Sequence, residues 1–322
     1  MAKTWRATPV IQSSAIMRVR AFAPAALIVS LCLAQKAGGF AEEASWAPKP
    51  VALTKYVPPH QPITRLVDLK RKHAGEPNWR QVIVDDSTLH GEYIQSAPGT
   101  VVSRRFHPDT REFWAVVEGQ LRFTIEGQEP FVATHGSLVQ VPAQTIYSIE
   151  TIGETPALRY EVNVPNAHTL YPIDVKPPEL PGVNWIQTKL NRKPFAYGAG
   201  NLPHVNLFEL TKDPKVRERA FVTDARLFAN IIYGYESELP PLDTKNPGHY
   251  HPESSESWLI MLGQIRYPIE GQGVIIADEG DIVYVPPFTF HAPRYHGKGA
   301  SCRLAMNGYP NIAHVRHAKL PD

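Results

Sequence analysis

Cysteine is scarce in this sequence of 322 residues, which contains only Cys32 and Cys302. Cys32 lies in a leading segment that we expect to be removed, and Cys302 alone cannot form an intramolecular disulfide. Long apolar patterns with a period of 3.6 residues are also scarce, whereas proline is abundant, at 31 residues. This balance excludes a disulfide-stabilised fold and favours short strands joined by turns over a bundle of helices.

The first 41 residues have the layout of a secretory signal peptide. From Met17, a second candidate start, basic residues precede a mostly apolar stretch of 14 residues, and small residues follow up to Ala41. That stretch is shorter than the roughly 20 apolar residues that span a membrane. We therefore expect a periplasmic or secreted protein with no stable membrane anchor once the segment is removed.

The charge of the chain disfavours a nucleic-acid partner. Removal of residues 1–41 would take away five basic residues and no acidic one, which lowers the formal net charge from +2 to −3. The basic residues concerned are Lys3, Arg6, Arg18, Arg20 and Lys36. A basic nucleic-acid-binding surface is therefore not expected. We expect a small-molecule substrate or ligand as the partner and leave a homo-oligomer open.

An internal repeat organises the rest of the chain. Residues 105–128 align with residues 249–272 without gaps and with 11 identities in 24 positions, at an offset of 144. The same offset carries Gly136 onto Gly280. The chain therefore contains two copies of one unit.

Each copy has the pattern of short strands. In the first copy Leu121, Phe123 and Ile125 alternate with other residues, as a half-buried strand requires. A Glu-Gly pair follows at 126–127 and again at 270–271, where it favours a turn. Short hairpins of this kind, present twice, predict an all-β fold of two tandem jelly-roll barrels.

Three histidines and a glutamate in the second copy have the character of metal ligands. His249 and His251 point to the same face of an extended strand, and Glu256 follows a turn. His291, after the next hairpin, could complete the set. An HxH pair alone is common on solvated strand faces, so the prediction depends on the joint spacing. Three imidazoles and a carboxylate suit one Fe(II), Mn(II), Ni(II), Cu(II) or Zn(II) ion.

This spacing resembles the two motifs of the cupin family. The first is HxH, four residues, Glu, six residues and Gly; the second is Gly, five residues, Pro, four residues and His. The matching residues are His249, His251, Glu256, Gly263, Gly280, Pro286 and His291. The second motif departs from the family at Phe288, where glycine is common, and at Tyr295, where asparagine is common, but neither position is a ligand.

The resemblance covers roughly residues 95–165 and 240–310, and it implies a bicupin with two double-stranded β-helix barrels. It also implies that the four residues of the second copy bind one divalent metal ion, commonly iron or manganese. Zinc, nickel and copper stay open.

The first copy lacks this ligand set. Arg105 and Tyr147 replace two of the histidines, whereas His107 and Glu112 are kept. A guanidinium group does not coordinate metal, and it could instead pair with Glu112. We expect the first barrel to be structural, or to bind a small anion beside Arg105. A single metal site weakens the case for the chemistry of the oxalate decarboxylases of this family.

The repeat divides the chain into five parts. They are a signal peptide (1–41), an N-terminal extension (42–94), a first barrel (95–168), an inter-barrel segment (169–238) and a second barrel (239–322). A structureless loop of about 20 residues is unusual in a compact domain, so we expect both connecting parts to add strands to the sheets. LFEL (207–210) and ARLFANIIYGY (225–235) are strand-like, whereas the tail 311–322 has no ligand spacing.

The surroundings of the ligands suggest a small substrate. By alternation, Trp258, Ile260 and Leu262 would line an apolar interior. Tyr295 shares the face of His291, so its hydroxyl could donate to a metal-bound oxygen or act as a general acid, or the residue could simply pack in the core.

Four protein ligands leave up to two positions of an octahedral metal ion open, enough for a substrate and O₂. We therefore expect an iron- or manganese-dependent oxidoreductase of the dioxygenase type that acts on a small organic acid or a phenolic compound. Two alternatives stay open: a metal-dependent decarboxylase, isomerase or lyase, and a non-catalytic protein that binds metal or a small ligand.

Overall fold

Strands form most of the secondary structure of the chain. The computed structural model describes residues 44–198, 201–213, 215–309 and 312–317, so the expected signal peptide lies outside the described residues. In chain order the strands are β1 (Ile63–Thr64), β2 (Trp79–Asp85), β3 (His90–Ser96), β4 (Val101–Arg105), β5 (Glu112–Glu118), β6 (Gln120–Ile125), β7 (Phe131–Thr134), β8 (Ser137–Val141), β9 (Tyr147–Ile152), β10 (Ala157–Asn163), β11 (His204–Asn206), β12 (Glu218–Thr223), β13 (Phe228–Tyr235), β14 (His249–Tyr250), β15 (Glu256–Leu262), β16 (Gln264–Ile269), β17 (Gly273–Asp278), β18 (Ile282–Val285), β19 (Arg294–His296), β20 (Ala300–Asn307) and β21 (Val315–Arg316). The helices are α1 (Leu66–Lys72) and α2 (Leu207–Leu210), with a 3-10 turn at Glu236–Glu238. Within these residues no helix has the length and apolar character needed to cross a membrane.

The strands form two tandem β-barrels, which confirms the predicted all-β fold. The first barrel combines a six-stranded sheet, in the order β11-β8-β5-β10-β3-β2, with a four-stranded sheet, β4-β9-β6-β7. The second barrel combines a six-stranded sheet, β1-β18-β15-β20-β13-β12, with the sheet β17-β16-β19, and β14 pairs with β21.

Side chains alternate along the strands as predicted. Leu121, Phe123 and Ile125 of β6 are buried, whereas the residues between them are exposed. They pack against Trp114 of β5 and form the interior of the first barrel. The turn that follows contains Gly127 with φ of 80°, a conformation that favours glycine.

The central strands of the two six-stranded sheets are buried on both faces because the barrels pack back to back. In β15, Trp258 faces the interior of the second barrel, whereas Leu259 belongs to a core shared by both barrels. In β5, Trp114 likewise faces the interior of the first barrel, and Phe113 belongs to the core shared by both barrels. The largest apolar cluster of the described residues therefore lies between the barrels and draws on both repeats.

The barrels also exchange a strand. β1, which precedes the first barrel, pairs with β18 of the second, and β11, which precedes the second barrel, pairs with β8 of the first. Each exchanged strand leads into a helix whose first residue, Leu66 or Leu207, is buried in the shared core. Both segments have the pattern Pro-x₃-Leu-x₂-Leu, from Pro62 and from Pro203. The 144-residue offset does not reveal this part of the repeat, because here the copies are 141 residues apart.

A carboxylate in an edge hairpin of each barrel reaches the other barrel. Asp86, in the turn between β2 and β3, accepts hydrogen bonds from two backbone N–H groups of its own turn and from the hydroxyls of Ser255 and Tyr284. Asp224, in the turn between β12 and β13, lies 3.4 Å from Arg111 of the first barrel. Arg111 and Ser255 are equivalent positions of the repeat, so the two contacts are related by the internal symmetry.

Residues 207–210 form helix α2, so the predicted strand at LFEL is wrong. The side-chain oxygen of Asn206 accepts a hydrogen bond from the backbone N–H of Phe208 at 2.9 Å, which caps the helix. Leu207 and Leu210, three residues apart, then lie on one face of the helix. The other strand-like stretch, ARLFANIIYGY, contains β13 as predicted.

Residues 171–203 form a long connection, which corrects the prediction that the whole inter-barrel segment extends the sheets. The described residues of this range contain no helix or strand. Prolines at 172, 177, 178 and 181 remove backbone donors that a sheet would need. Side-chain contacts hold the connection instead: Arg192 pairs with Glu126, and Arg111 donates to the carbonyl of Tyr197 at 3.0 Å.

We expect Asp86→Ala to lower the free energy of unfolding by at least about 2 kcal/mol, because several partly buried donors lose their acceptor. Urea denaturation measures the change. The control is Asp68→Ala, which removes an exposed ion pair with Arg71 and should cost no more than about 0.5 kcal/mol. Equal losses in the two variants would show that Asp86 does not join the barrels.

The effect of Asp86→Ala should also depend on pH. Burial raises the pKa of Asp86, but hydrogen bonds from Ser255 and from its own turn outweigh burial, so the pKa is lowered. The stability contributed by Asp86 is therefore present above the unfolded-state pKa of about 3.9 and is lost as the pH falls below it. The difference in unfolding free energy between wild type and variant should shrink from about pH 6 to pH 3; a constant difference would contradict this assignment.

Candidate metal centre

The four predicted ligands meet at one end of the second barrel. His249 begins β14, His251 follows that strand, Glu256 begins β15, and His291 lies between β18 and β19. Paired backbone hydrogen bonds hold two of these segments together. The N–H of His249 donates to the carbonyl of His291 at 3.1 Å, and the N–H of His291 donates back at 2.9 Å. The sheet pairing itself therefore places these imidazoles side by side.

The side-chain geometry suits a metal ion. One ligand atom from each residue lies within 4.8 Å of the others. Nε2 of His251 is 2.8 Å, and Nε2 of His291 is 3.2 Å, from Oε2 of Glu256. Their Nδ1 atoms donate to the carbonyls of Ala313 (2.8 Å) and Thr289 (2.9 Å). These carbonyls keep a proton on Nδ1, so Nε2 is the nitrogen that faces the site; when Nε2 gives up its own proton, its lone pair points at the position of the ion.

The electrostatics of the group favour a cation. Burial alone would raise the pKa of Glu256, but hydrogen bonds from His251 and His291 outweigh it and hold the pKa well below its usual range. Burial, reinforced by neighbouring His291, lowers the pKa of His249 to about 3. Near neutral pH the site thus offers a carboxylate and a neutral imidazole, the forms that bind metals.

A fourth histidine, for which the sequence predicts no role, lies at the mouth of the site. The tail strand β21 pairs with β14, and this places the ring of His314 4.9 Å from that of His249 and 4.5 Å from that of His251. His249 is half-buried and His314 is exposed, whereas His251, Glu256 and His291 are buried. The site is therefore reached from the side of His249 and His314. Only the valine that follows His314, typical of a strand, hinted at this contact.

The predicted apolar interior is mostly present. Trp258, Ile260 and Tyr267 belong to the cluster inside the second barrel. Leu262 instead packs against the core between the barrels, so its prediction is wrong. The pairing of β15 with β20 shifts register between Ile260 and Leu262, and this irregularity interrupts the alternation on which the prediction depended.

Tyr295 faces the barrel interior but lies far from the ligands. Along β16, Ile269 pairs with His291 and Ile265 pairs with Tyr295. Four strand residues separate these positions, a distance of about 13 Å. The ring of Tyr295 instead stacks on the guanidinium of Arg303, 5.6 Å away. A catalytic role for Tyr295 stays a prediction that the position of its ring does not support.

In the first barrel a guanidinium takes the place of the ligand set. Nε of Arg105 donates to the hydroxyl of Tyr147 at 2.7 Å, and Nη2 donates to Glu161 at 3.2 Å. The expected partner, Glu112, is 3.6 Å from Arg105 and 3.0 Å from Nε2 of His107. The Arg105–Glu112 pair is thus present, but Tyr147 and Glu161 hold the guanidinium more closely.

Comparison with known proteins agrees with this architecture. The cupin domain family model matches the chain twice, at residues 93–163 and 235–306. No curated protein is significantly similar to the chain in sequence.

Solved structures of similar fold are distant in sequence. A cupin 2 conserved barrel domain protein from Leptotrichia buccalis shares 14% identity, with 81% of this chain and 99% of that chain covered and a TM-score of 0.52. A variant of Bacillus subtilis oxalate decarboxylase shares 16% identity, over 74% of this chain and 75% of that chain, with a TM-score of 0.45. The formate complex of Lactobacillus farciminis oxalate decarboxylase shares 15%, over 75% and 84%, with a TM-score of 0.48. At such identities the first of these structures supports the fold alone.

We expect the purified chain to hold one equivalent of a divalent metal. Loss of a residue that hydrogen-bonds to a metal ligand typically weakens metal binding by roughly 10–100-fold. His251→Ala removes a ligand itself, so we expect it to weaken binding by more than that. Elemental analysis after dialysis against a fixed metal concentration measures the retained metal. Tyr147→Phe is the matched control in the first barrel and should keep a full equivalent. Full metal content in His251→Ala, or its loss in Tyr147→Phe, would place the metal elsewhere.

Proposed function

We propose that this chain, which carries two cupin domains, is an exported metal-dependent oxidoreductase of the dioxygenase type that acts at its second barrel. The observation that supports this function is the group of three imidazoles and one carboxylate whose ligand atoms lie within 4.8 Å of one another. When bound, Fe(II) or Mn(II) would supply Lewis acidity and electron transfer to O₂ at the coordination positions that four protein ligands leave open. Zinc, nickel and copper fit the same donors.

The residues around the metal position have different roles in binding it. Glu256 contributes the one negative charge, which offsets half of the charge of a divalent ion. The carbonyls of Ala313 and Thr289 orient His251 and His291 through Nδ1, so the imidazoles are fixed before any metal binds. Trp258 packs against the ring of His291 at 5.2 Å and excludes water from the inner side of the site.

The surroundings favour a small organic acid or a phenolic compound as substrate. Trp258 and Tyr267 fill much of the interior with aromatic surface, which leaves little room for a large polar molecule. At the entrance lie the half-buried His249 and the exposed His314. Because Nδ1 of His314 donates to the carbonyl of Ile312 at 3.2 Å, its Nε2 can accept a hydrogen bond from the hydroxyl of a phenol or a carboxylic acid. Such a substrate could approach the open coordination positions while His314 holds its outer oxygen.

The test of this function begins with loading the chain with Fe(II) under anaerobic conditions. Oxygen uptake is then measured in aerated buffer with a panel of phenols and small organic acids, oxalate included. We expect uptake with at least one compound and a loss of more than roughly 100-fold in Glu256→Ala, which removes the carboxylate ligand. His135→Ala, at an exposed position of the first barrel, is the control and should keep full activity.

Two other outcomes would overturn the proposal in favour of the alternatives. Release of CO₂, or isomerisation, without oxygen uptake would indicate a metal-dependent decarboxylase, isomerase or lyase. Tight metal binding with no turnover of any compound in the panel would indicate a protein that binds metal or a small ligand without catalysis.

A further inference from the structure

A cavity of about 420 Å³ opens into the first barrel, away from the predicted metal ligands. Its lining comes from β2, β3, β4, β9 and β10. The volume lies within the range of small-molecule sites, roughly 300–1,000 Å³. Part of its wall is apolar, from Trp79, Ile94, Val102 and Ile149, and the polar part includes the guanidinium groups of Arg105 and Arg159.

Two guanidinium groups in this cavity share one carboxylate. Arg159, whose side chain is 4% exposed, donates from Nε to Glu161 at 3.3 Å and from Nη1 to Ser96 at 3.4 Å. Arg105 donates from Nη2 to the other oxygen of Glu161 at 3.2 Å. Glu161 also accepts from Nε1 of Trp114 at 2.8 Å. The carboxylate is therefore fully engaged, whereas Nη2 of Arg159 can still donate into the cavity.

The remaining carboxylate near this pair is committed elsewhere. Glu112, 3.6 Å from Arg105, is hydrogen-bonded to Nε2 of His107 and to the hydroxyl of Tyr147. At the rim, Arg80 is paired with Glu92. The cavity therefore combines two neighbouring guanidinium groups, one of which keeps a donor directed into the space, with an apolar wall, an arrangement that suits a single anionic group on an apolar body.

The second barrel fills the equivalent space with its own side chain. In the first barrel Thr151 pairs with Leu121, and in the second barrel Tyr295 pairs with Ile265, the equivalent of Leu121 in the repeat. Tyr295 therefore occupies the position that Thr151 has in the first barrel. The ring of Tyr295 lies so close to Gly234 that a Cβ at this glycine would come within 2.5 Å of it.

The residue that the ring of Tyr295 covers, Gly234, is also replaced in the first barrel. Gly234 pairs with Ser301, and Ser96 of the first barrel pairs with Ala157, the equivalent of Ser301 in the repeat. Ser96 therefore takes the place of Gly234. Thr151 and Ser96 bond to each other through their hydroxyls at 2.6 Å, and these two small side chains leave the cavity open.

We propose that the first barrel binds a small organic monocarboxylate in this cavity, with the carboxylate on Arg159 and Arg105 and the apolar body against Trp79 and Ile149. A carboxylate has two oxygens, so it can accept one charge-assisted hydrogen bond from each guanidinium group, and burying its single charge costs less than burying the second charge of phosphate. This site is independent of the metal-dependent reaction proposed for the second barrel, so either can fail without the other.

The test is isothermal titration calorimetry of the full chain with benzoate as the probe. We expect saturable binding of one benzoate in the wild type, and binding at least roughly tenfold weaker in Arg159→Gln, because a charge-assisted hydrogen bond is lost. Arg122→Gln is the matched control, since Arg122 forms an exposed pair with Glu150 in the same barrel, and it should bind as the wild type does.

A second variant separates loss of the site from loss of the fold. Thr151→Tyr combined with Ser96→Gly transfers the Tyr295–Gly234 pair of the second barrel to the first, which fills the cavity and leaves the charges in place. It should keep the near-ultraviolet circular dichroism of a folded chain and lose benzoate binding.

Five results would overturn the proposal, four of them from binding to the wild type and the filled variant. These four are no benzoate binding by the wild type, unchanged binding by the filled variant, equal binding of uncharged benzyl alcohol, and tighter binding of inorganic phosphate than of benzoate. Binding that disappears in His251→Ala would also overturn it, because the benzoate would then sit at the metal ligands of the second barrel.

Discussion

The burial of the central strands of each six-stranded sheet on both faces is the constraint on which the rest of the structure depends. One face of each sheet closes its own barrel and the other face packs against the neighbouring barrel, so the central strands have no face left for water, whereas the edge strands β2 and β12 keep exposed residues. The apolar residues of β5 and β15 on both faces, such as Phe113 beside Trp114 and Leu259 beside Trp258, follow from this packing. The strand exchange and the contacts of Asp86 and Asp224 then fix how the two barrels meet.

The candidate metal centre takes its rigidity from this arrangement. Glu256 begins β15, a strand with partners on both sides and cores on both faces, so its carboxylate has little freedom to move. His249 and His291 are joined backbone to backbone. The same framework in the first barrel holds an arginine, and the chemistry changes although the fold does not. Two barrels of one design thus supply a metal-ligand group and a cavity with one buried and one half-buried guanidinium group, Arg159 and Arg105.

The sequence predicted what depends on periodicity and spacing. The alternation of side chains predicted the strands, and the 144-residue offset predicted the tandem barrels. The motif spacing predicted four ligand side chains, which the structure brings together. It failed where tertiary contacts override local pattern: LFEL is a helix because Asn206 caps it, and Leu262 turns away from the barrel because of a register shift. His314 could not be found because its position depends on the pairing of the tail with β14, a contact between residues about 65 apart.

The exchange of β1 has a consequence for the order of events during synthesis. Ile63 pairs with Val283, which is 220 residues further along the chain. β1 therefore cannot pair with β18 until those residues have been synthesised. At about 5–20 residues per second this delay is on the order of 10–40 s. β11, which completes the sheet of the first barrel, is made earlier than β18, but the apolar back of that sheet stays uncovered until the second barrel has formed. Until then, the uncovered apolar face is a surface through which incomplete chains can associate with one another.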